Sequence, residues 1–185
     1  MRKKNVSAEF IKLCYCIALI KLMETKDYHS ISISDICKEA GFGRTSYYRY
    51  FSNNKDELIL FISRLKWEKY KQDNPELIKK DEGLGLLKHI YNKKYFFNLL
   101  SKQKLNSLIF EIFYEIFGRQ ENEEPILSYG KAFFAGGYFG VTYEWIIHGC
   151  NDTPEEIQKK FGEGLVYTFE QAKKNEEKAS TPTKE

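Results

Sequence analysis

Strand signals are nearly absent from this chain. Few stretches alternate apolar and polar residues between turn residues, and most segments repeat apolar positions every three or four. Cysteine is scarce: the four thiols, Cys14, Cys16, Cys37 and Cys150, come without a CxxC motif or a Cys/His cluster. Cys14 and Cys16 are two apart on a helix and face different directions, so they neither pair nor chelate well. Reduced thiols packed as small hydrophobes are the expectation. No long hydrophobic run is present. The most apolar window, Ala132 to Ile147, is short for a bilayer and holds Glu144. The stretch after Arg2-Lys3-Lys4 is interrupted by Glu9, Lys12, Lys21 and Glu24, which argues against a signal peptide. A cytoplasmic protein with no membrane partner is expected.

Other absences bear on function. There is no glycine-rich phosphate loop, no HExxH and no nucleophile–base spacing, so no catalytic residue, metal or cofactor is expected and the chain reads as a non-enzyme. Glu111 and Glu115, one turn apart, read as a solvated edge. A net charge of +3 over 185 residues is too small to argue for nucleic acid, so the distribution of charge must carry that case.

What remains is an all-α pattern. A first helix is predicted over Ser7 to Lys26, with Phe10, Leu13, Cys14, Ile17 and Ile20 as its apolar stripe. Ser32 and Asp35 form a capping box for a short second helix that stops at Gly41. A third runs from Arg44 to about Phe51, with Gly43 as a weak N-cap. Asn54 and Glu57 are read as the cap of a fourth, which fades before Pro75 and buries Leu58, Phe61, Ile62 and Leu65. Beyond a boundary between Leu65 and Gly85 the chain turns aromatic. Helices are predicted over Leu84 to Leu100, over Leu105 to Phe117 (apolar nearly all round, hence buried), and over Ile126 to His148. Thr153, Pro154 and Glu156 then supply cap, N1 proline and N3 acid for a last helix, whose stripe is Ile157, Phe161, Leu165 and Phe169. The domains expected are an N-terminal unit over 1–55, a connecting helix over 55–72, a second unit over 73–175, and a polar, disordered tail over 176–185.

The informative segment is Ile31 to Leu58, ISISDICKEAGFGRTSYYRYFSNNKDEL. Two short helices joined by a tight glycine turn make a helix-turn-helix, whose second helix enters the major groove. That helix, Arg44 to Tyr50, carries no acidic residue and has hydrogen-bond donors throughout. Burying Tyr47 and Phe51 would leave Arg44, Tyr48, Arg49 and Tyr50 exposed together, an aromatic and arginine cluster of the kind that marks a binding surface. Arg2-Lys3-Lys4 reads equally as a minor-groove arm or a solvated terminus.

Ile36, Ala40-Gly41, Arg44, Tyr47-Tyr48, Tyr50-Phe51, Lys55 and Leu58 together resemble the tetracycline-repressor (TetR) family, over about 50 residues; the rest agrees in length and helical character only. The resemblance implies base-edge contacts from Thr45 and Ser46, and a guanine or phosphate contact from Arg44. It also implies phosphate contacts from Tyr48, Tyr50 and Lys55, with Tyr47 and Phe51 fastening the recognition helix. Gly43 replaces a common capping Ser or Thr, and the Ser52-Asn53-Asn54 loop is one residue longer than usual, which bears on where Lys55 falls.

The C-terminal part suggests a homodimer on palindromic double-stranded operator DNA. Its last two helices are of the length and apolarity that pair as a four-helix bundle. Ala135, Gly136 and Gly140 are small enough for close helix approach, across a dimer or within the chain, with Ile157, Phe161 and Leu165 alongside. Phe96, Phe110, Phe113, Tyr114, Phe134 and Tyr138 form either core or the wall of a pocket for an apolar or aromatic effector. His89 and His148 offer polar anchors for such a pocket, although an isolated histidine on a helix is more often a partly exposed surface residue. Two functions follow: a repressor released by a small molecule, or an interaction protein that works with a partner regulator as a co-activator. A cavity of about 300 Å³ or more in the aromatic segment favours the first.

Overall fold

The structure, a computed structural model, describes residues 7–117 and 124–179. Those residues form ten α-helices and one 3₁₀ turn, with no strand among them. The basic segment at residues 2–4, most of the 121–125 loop and the last six residues lie outside the described residues.

The first four helices are α1 (Ala8–Met23), α2 (Ile33–Ala40), α3 (Arg44–Tyr50) and α4 (Asp56–Asp73), with the 3₁₀ turn Tyr28–Ser30 between α1 and α2. The Ser32 hydroxyl accepts from the Asp35 N–H at 3.1 Å while the Asp35 carboxylate accepts from the Ser32 N–H at 3.0 Å, so the capping box is complete. Gly41 ends α2 at φ +73°, a left-handed conformation that a Cβ disfavours. The fourth helix starts differently from expectation. Glu57 turns back to accept from the Ser52 N–H (3.0 Å) and its hydroxyl, while Asn54 accepts only from the Asp56 N–H (2.9 Å).

Helix α1 buries Tyr15, Cys16, Ala18, Leu19 and Met23 against α2, α3 and α4. The predicted stripe is thus rotated: Phe10 and Ile17 are 53% and 59% exposed. Residues 10, 11 and 13–20 are all apolar, so spacing could not select a face.

Helices α5 (Pro75–Lys80), α6 (Glu82–Asn92), α7 (Lys94–Lys102), α8 (Asn106–Phe117), α9 (Pro125–Ile147) and α10 (Pro154–Ala179) follow. The single helix predicted over Leu84 to Leu100 is broken at Lys93. Helix α8 packs on α4 and α9, and α10 on α6 and α9. Leu105, Leu108, Ile109, Ile112 and Phe113 are buried, whereas Phe110 and Tyr114 on the same helix are about two-fifths exposed. The polar 176–179 stretch continues α10, because Glu, Lys and Ala are good helix formers and no breaker intervenes. Cys16, Cys37 and Cys150 are buried, Cys14 is half-buried, and all four are free thiols. No described helix is long and apolar enough to cross a membrane.

Candidate nucleic-acid interface and buried cavity

Helix α3 is held by aromatic packing on one side only. The Tyr47 ring is fully buried, edge-on to Tyr15 at 5.2 Å and tilted on Phe51 at 5.6 Å. The Tyr15 hydroxyl donates to the Gly43 carbonyl at 3.0 Å, tying α1 to the start of α3. Gly43 offers no hydroxyl to accept from the first N–H groups of α3, so the Tyr15 bond and the packing beneath fix where the helix starts without capping it.

The opposite side faces solvent. Arg44, Thr45, Tyr48 and Arg49 are exposed. Arg44 Nη2 lies 3.4 Å from Tyr48 Oη, with its guanidinium carbon 5.9 Å from that ring, and Tyr48 Oη lies 3.4 Å from Asn53 Oδ1. Two other predicted contacts turn partly inward. Ser46 is half-buried, and Tyr50 is half-buried with Lys12 Nζ 5.7 Å from its ring centre.

Lys55 stands apart. Its ammonium donates to the Ile31 carbonyl at 2.8 Å and to the Tyr28 carbonyl, over the Tyr28 ring at 4.3 Å. Partial burial lowers its pKa, against the pull of Asp56 and Asp27. The Tyr28 hydroxyl donates to Asp56 beside it. The residue expected to reach DNA is engaged in bracing the turn that leads into α2.

A cavity of about 150 Å³ lies between α1, α4, α6, α7 and α8. Phe96 and Phe113 line it, together with Trp67, Ile90 and Phe97. The other predicted lining residues are elsewhere. Phe110 packs edge-on to Phe139 at 5.3 Å and Tyr114 lies beside it. Phe134 is 56% exposed on α9. Tyr138 meets Phe161 at 5.7 Å and lays its hydroxyl over Gly83, where a Cβ would come within 1.9 Å of it. Spacing along a helix does not say which of several neighbouring helices an aromatic ring will meet.

Of the cavity's polar groups, sequence reasoning offered His89 as an anchor but favoured a surface position for it, and it did not name Ser63, Lys66 or Lys93. His89 is not a surface residue: it is 5% exposed, packed against Trp67 and Tyr70, and its Nδ1 has no hydrogen-bond partner. Burial lowers its pKa to about 4, with Lys93 and Lys66 acting in the same direction, so the ring is neutral at pH 7. His148, by contrast, is exposed, as expected.

The small residues of α9 and the stripe of α10 divide between two uses. Ala135 is fully buried within the chain and Ile157 is 8% exposed, so neither is available to a second copy. Phe161 is half-buried under Tyr138, and Leu165 is half-buried. At Gly136 and Gly140 an added Cβ would meet nothing. Ile126, Tyr129, Phe133 and Phe134 on α9, with Tyr167 and Phe169 on α10, are 56–76% exposed.

Comparison with known proteins agrees with this geometry. Residues 18–61 match the profile of the bacterial regulatory proteins of the tetR family, and residues 84–166 match that of a transcriptional regulator C-terminal region. No curated protein matches the chain. A solved structure described as the dihydroxyacetone kinase operon activator DhaS is similar in fold, with a TM-score of 0.54 and 21% identity, covering 86% of this chain and 96% of that one. The chain belongs to the TetR family of DNA-binding transcriptional regulators.

Proposed function

We infer that this protein is a cytoplasmic repressor that binds a palindromic operator as a homodimer and is released by a small-molecule effector. The observation that carries the reading is the division of α3. Tyr47 is fully buried while Arg44, Thr45, Tyr48 and Arg49 are exposed together. In this reading residues 1–55 form the reading head, the helix over 55–72 connects it, and residues 73–175 carry the dimer face and, together with α1 and α4, enclose the effector cavity. Thr45 reads base edges, with Ser46 at the margin of the contact. Arg44, Arg49, Tyr48 and Tyr50 hold phosphates or guanine.

One recognition helix reads too few base pairs. Two copies spaced by one DNA turn, about 34–36 Å, read a palindrome. The exposed apolar side chains of α9 and α10 supply candidates for that face. An effector that prefers one head spacing supplies a coupling of about 1–3 kcal/mol.

The alternative is a regulator controlled by a partner protein. It is favoured by the cavity's size, about 150 Å³ against the roughly 300 Å³ at which drug-sized pockets begin. The solved relative of similar fold is itself named an activator. Selection of random duplex DNA by the purified protein at two salt concentrations tests the main reading. A recovered palindrome supports a dimeric operator reader. Binding without a motif, or none, supports the partner-controlled reading.

A further inference from the structure

The cavity is not uniformly apolar. His89 presents a buried nitrogen, Nδ1, that no group in the chain satisfies. A buried polar atom left without a partner is costly, and a ligand or water that satisfies it recovers that cost. Ser63 is the other neutral polar group in the lining, and its hydroxyl already donates to the Ile59 carbonyl at 2.8 Å. His89 is therefore the neutral polar lining residue with a hydrogen bond still unmet.

The charges around it have one sign. Lys66 on α4 and Lys93 at the α6–α7 break line the cavity and are themselves exposed, which places them at its mouth. No acidic residue lines it, and neither lysine forms an ion pair with a described residue. Elsewhere the surface lysines Lys21, Lys69, Lys88 and Lys160 each hold a carboxylate within 2.7 Å. The walls below are Trp67, Phe97, Phe113 and aliphatic side chains. A volume of about 150 Å³ with such walls accepts a body of about the size of one benzene ring.

We propose that the effector is a compact organic acid: its hydrocarbon body fills the aromatic cavity, and its carboxylate accepts a hydrogen bond from His89 Nδ1 between the ammonium groups of Lys66 and Lys93. This rests on the effector reading above and adds the ligand's chemical class. A cationic ligand meets two ammonium groups. A neutral hydrocarbon leaves Nδ1 unpaired. A carboxylate satisfies all three groups at once.

The test is calorimetric titration of the intact protein with benzoate, toluene and benzylamine, which share a ring and differ in head group. Benzoate is expected to bind tightest and benzylamine not at all. In a Lys66→Gln/Lys93→Gln variant, both changes being on exposed side chains, benzoate affinity falls about tenfold while toluene affinity stays the same. His89→Phe lowers benzoate affinity as well, and the lysine pair keeps the test decisive if that core variant does not fold. Toluene binding as tightly as benzoate, or a lysine variant that treats both alike, overturns the acid class while leaving the cavity as an effector site. Failure of all three probes to bind overturns the cavity as that site. Operator binding by the unliganded protein, measured alongside, is independent of either result.

Discussion

Lys55 Nζ donates to the Ile31 carbonyl at 2.8 Å, linking the start of α4 to the residue that precedes the α2 capping box. A second bond, to the Tyr28 carbonyl, and the Tyr28 ring beneath the ammonium complete the contact. The lysine thus fixes the entry of the helix-turn-helix. Lys55→Met should leave two part-buried carbonyls without this donor and cost about 1–2 kcal/mol. At this chain length that corresponds to roughly 2–8 °C in Tm. Thermal unfolding checks it. If Lys55 also releases the carbonyls to hold a phosphate in the complex, the slope of log affinity against log salt falls by about 0.9 in addition to the loss of Tm.

The sequence made the reading head legible because its signals are local. Ser32 with Asp35, Gly41 after Ala40, and the aromatic run from Tyr47 to Phe51 each act within a few residues. What it hid is set by neighbours far along the chain. The break at Lys93 has no glycine or proline to announce it, and α6 and α7 part there because they pack on different partners, α10 and α9. A lone histidine looks the same in sequence whether buried or not, and only the approach of Trp67 and Tyr70 makes His89 a core residue. The aromatic segment named the residue types of the cavity, yet only Phe96 and Phe113 of the six candidates reach it.

Exposed residues on one helix can be separated by what they read. Arg49→Ala should weaken binding to every duplex and lower the salt slope by about 0.9, because one cation fewer displaces counterions. Thr45→Ala should leave that slope alone and relax preference at one base position per half-site, by about 1–3 kcal/mol if the contact is direct. Binding measured at several salt concentrations on matched and mismatched operators distinguishes the two. If Arg49→Ala changes sequence preference and Thr45→Ala does not, the roles are exchanged.

The dimer face is tested where the side chains are exposed rather than at the small residues first suggested by the sequence. Val166 and Phe169 on α10 are 59% and 66% exposed, whereas Ala135 is buried in its own chain. Val166→Glu/Phe169→Glu places four like charges across a two-fold interface and should shift the protein to monomer in sedimentation at micromolar concentration. Operator affinity should fall with it, since one head alone holds half a site. A variant that stays dimeric would move the interface off this part of α10.

Gln103, in the turn between α7 and α8, reaches across to the end of α1. Its side-chain oxygen accepts from the Tyr28 N–H at 2.8 Å, and its amide nitrogen donates to the Met23 and Lys26 carbonyls at 2.7 and 2.9 Å. The helices it joins supply Phe96, Phe97, Ile112 and Phe113 to the cavity, so a displacement there has a direct route to the segment ahead of α2. Gln103→Ala should expose the Tyr28 amide and speed its hydrogen exchange, while distant core amides keep their protection. Gln103→Glu is the sharper variant. It keeps the acceptor for Tyr28 but sets a carboxylate oxygen against the Met23 and Lys26 carbonyls, so it should destabilise the α1 end more than alanine does. Both variants should weaken operator binding without altering base preference, since the exposed side of α3 is untouched. If Glu is tolerated better than Ala, the donor bonds to Met23 and Lys26 do not hold the two parts together, and the route from cavity to reading head runs through α4 instead.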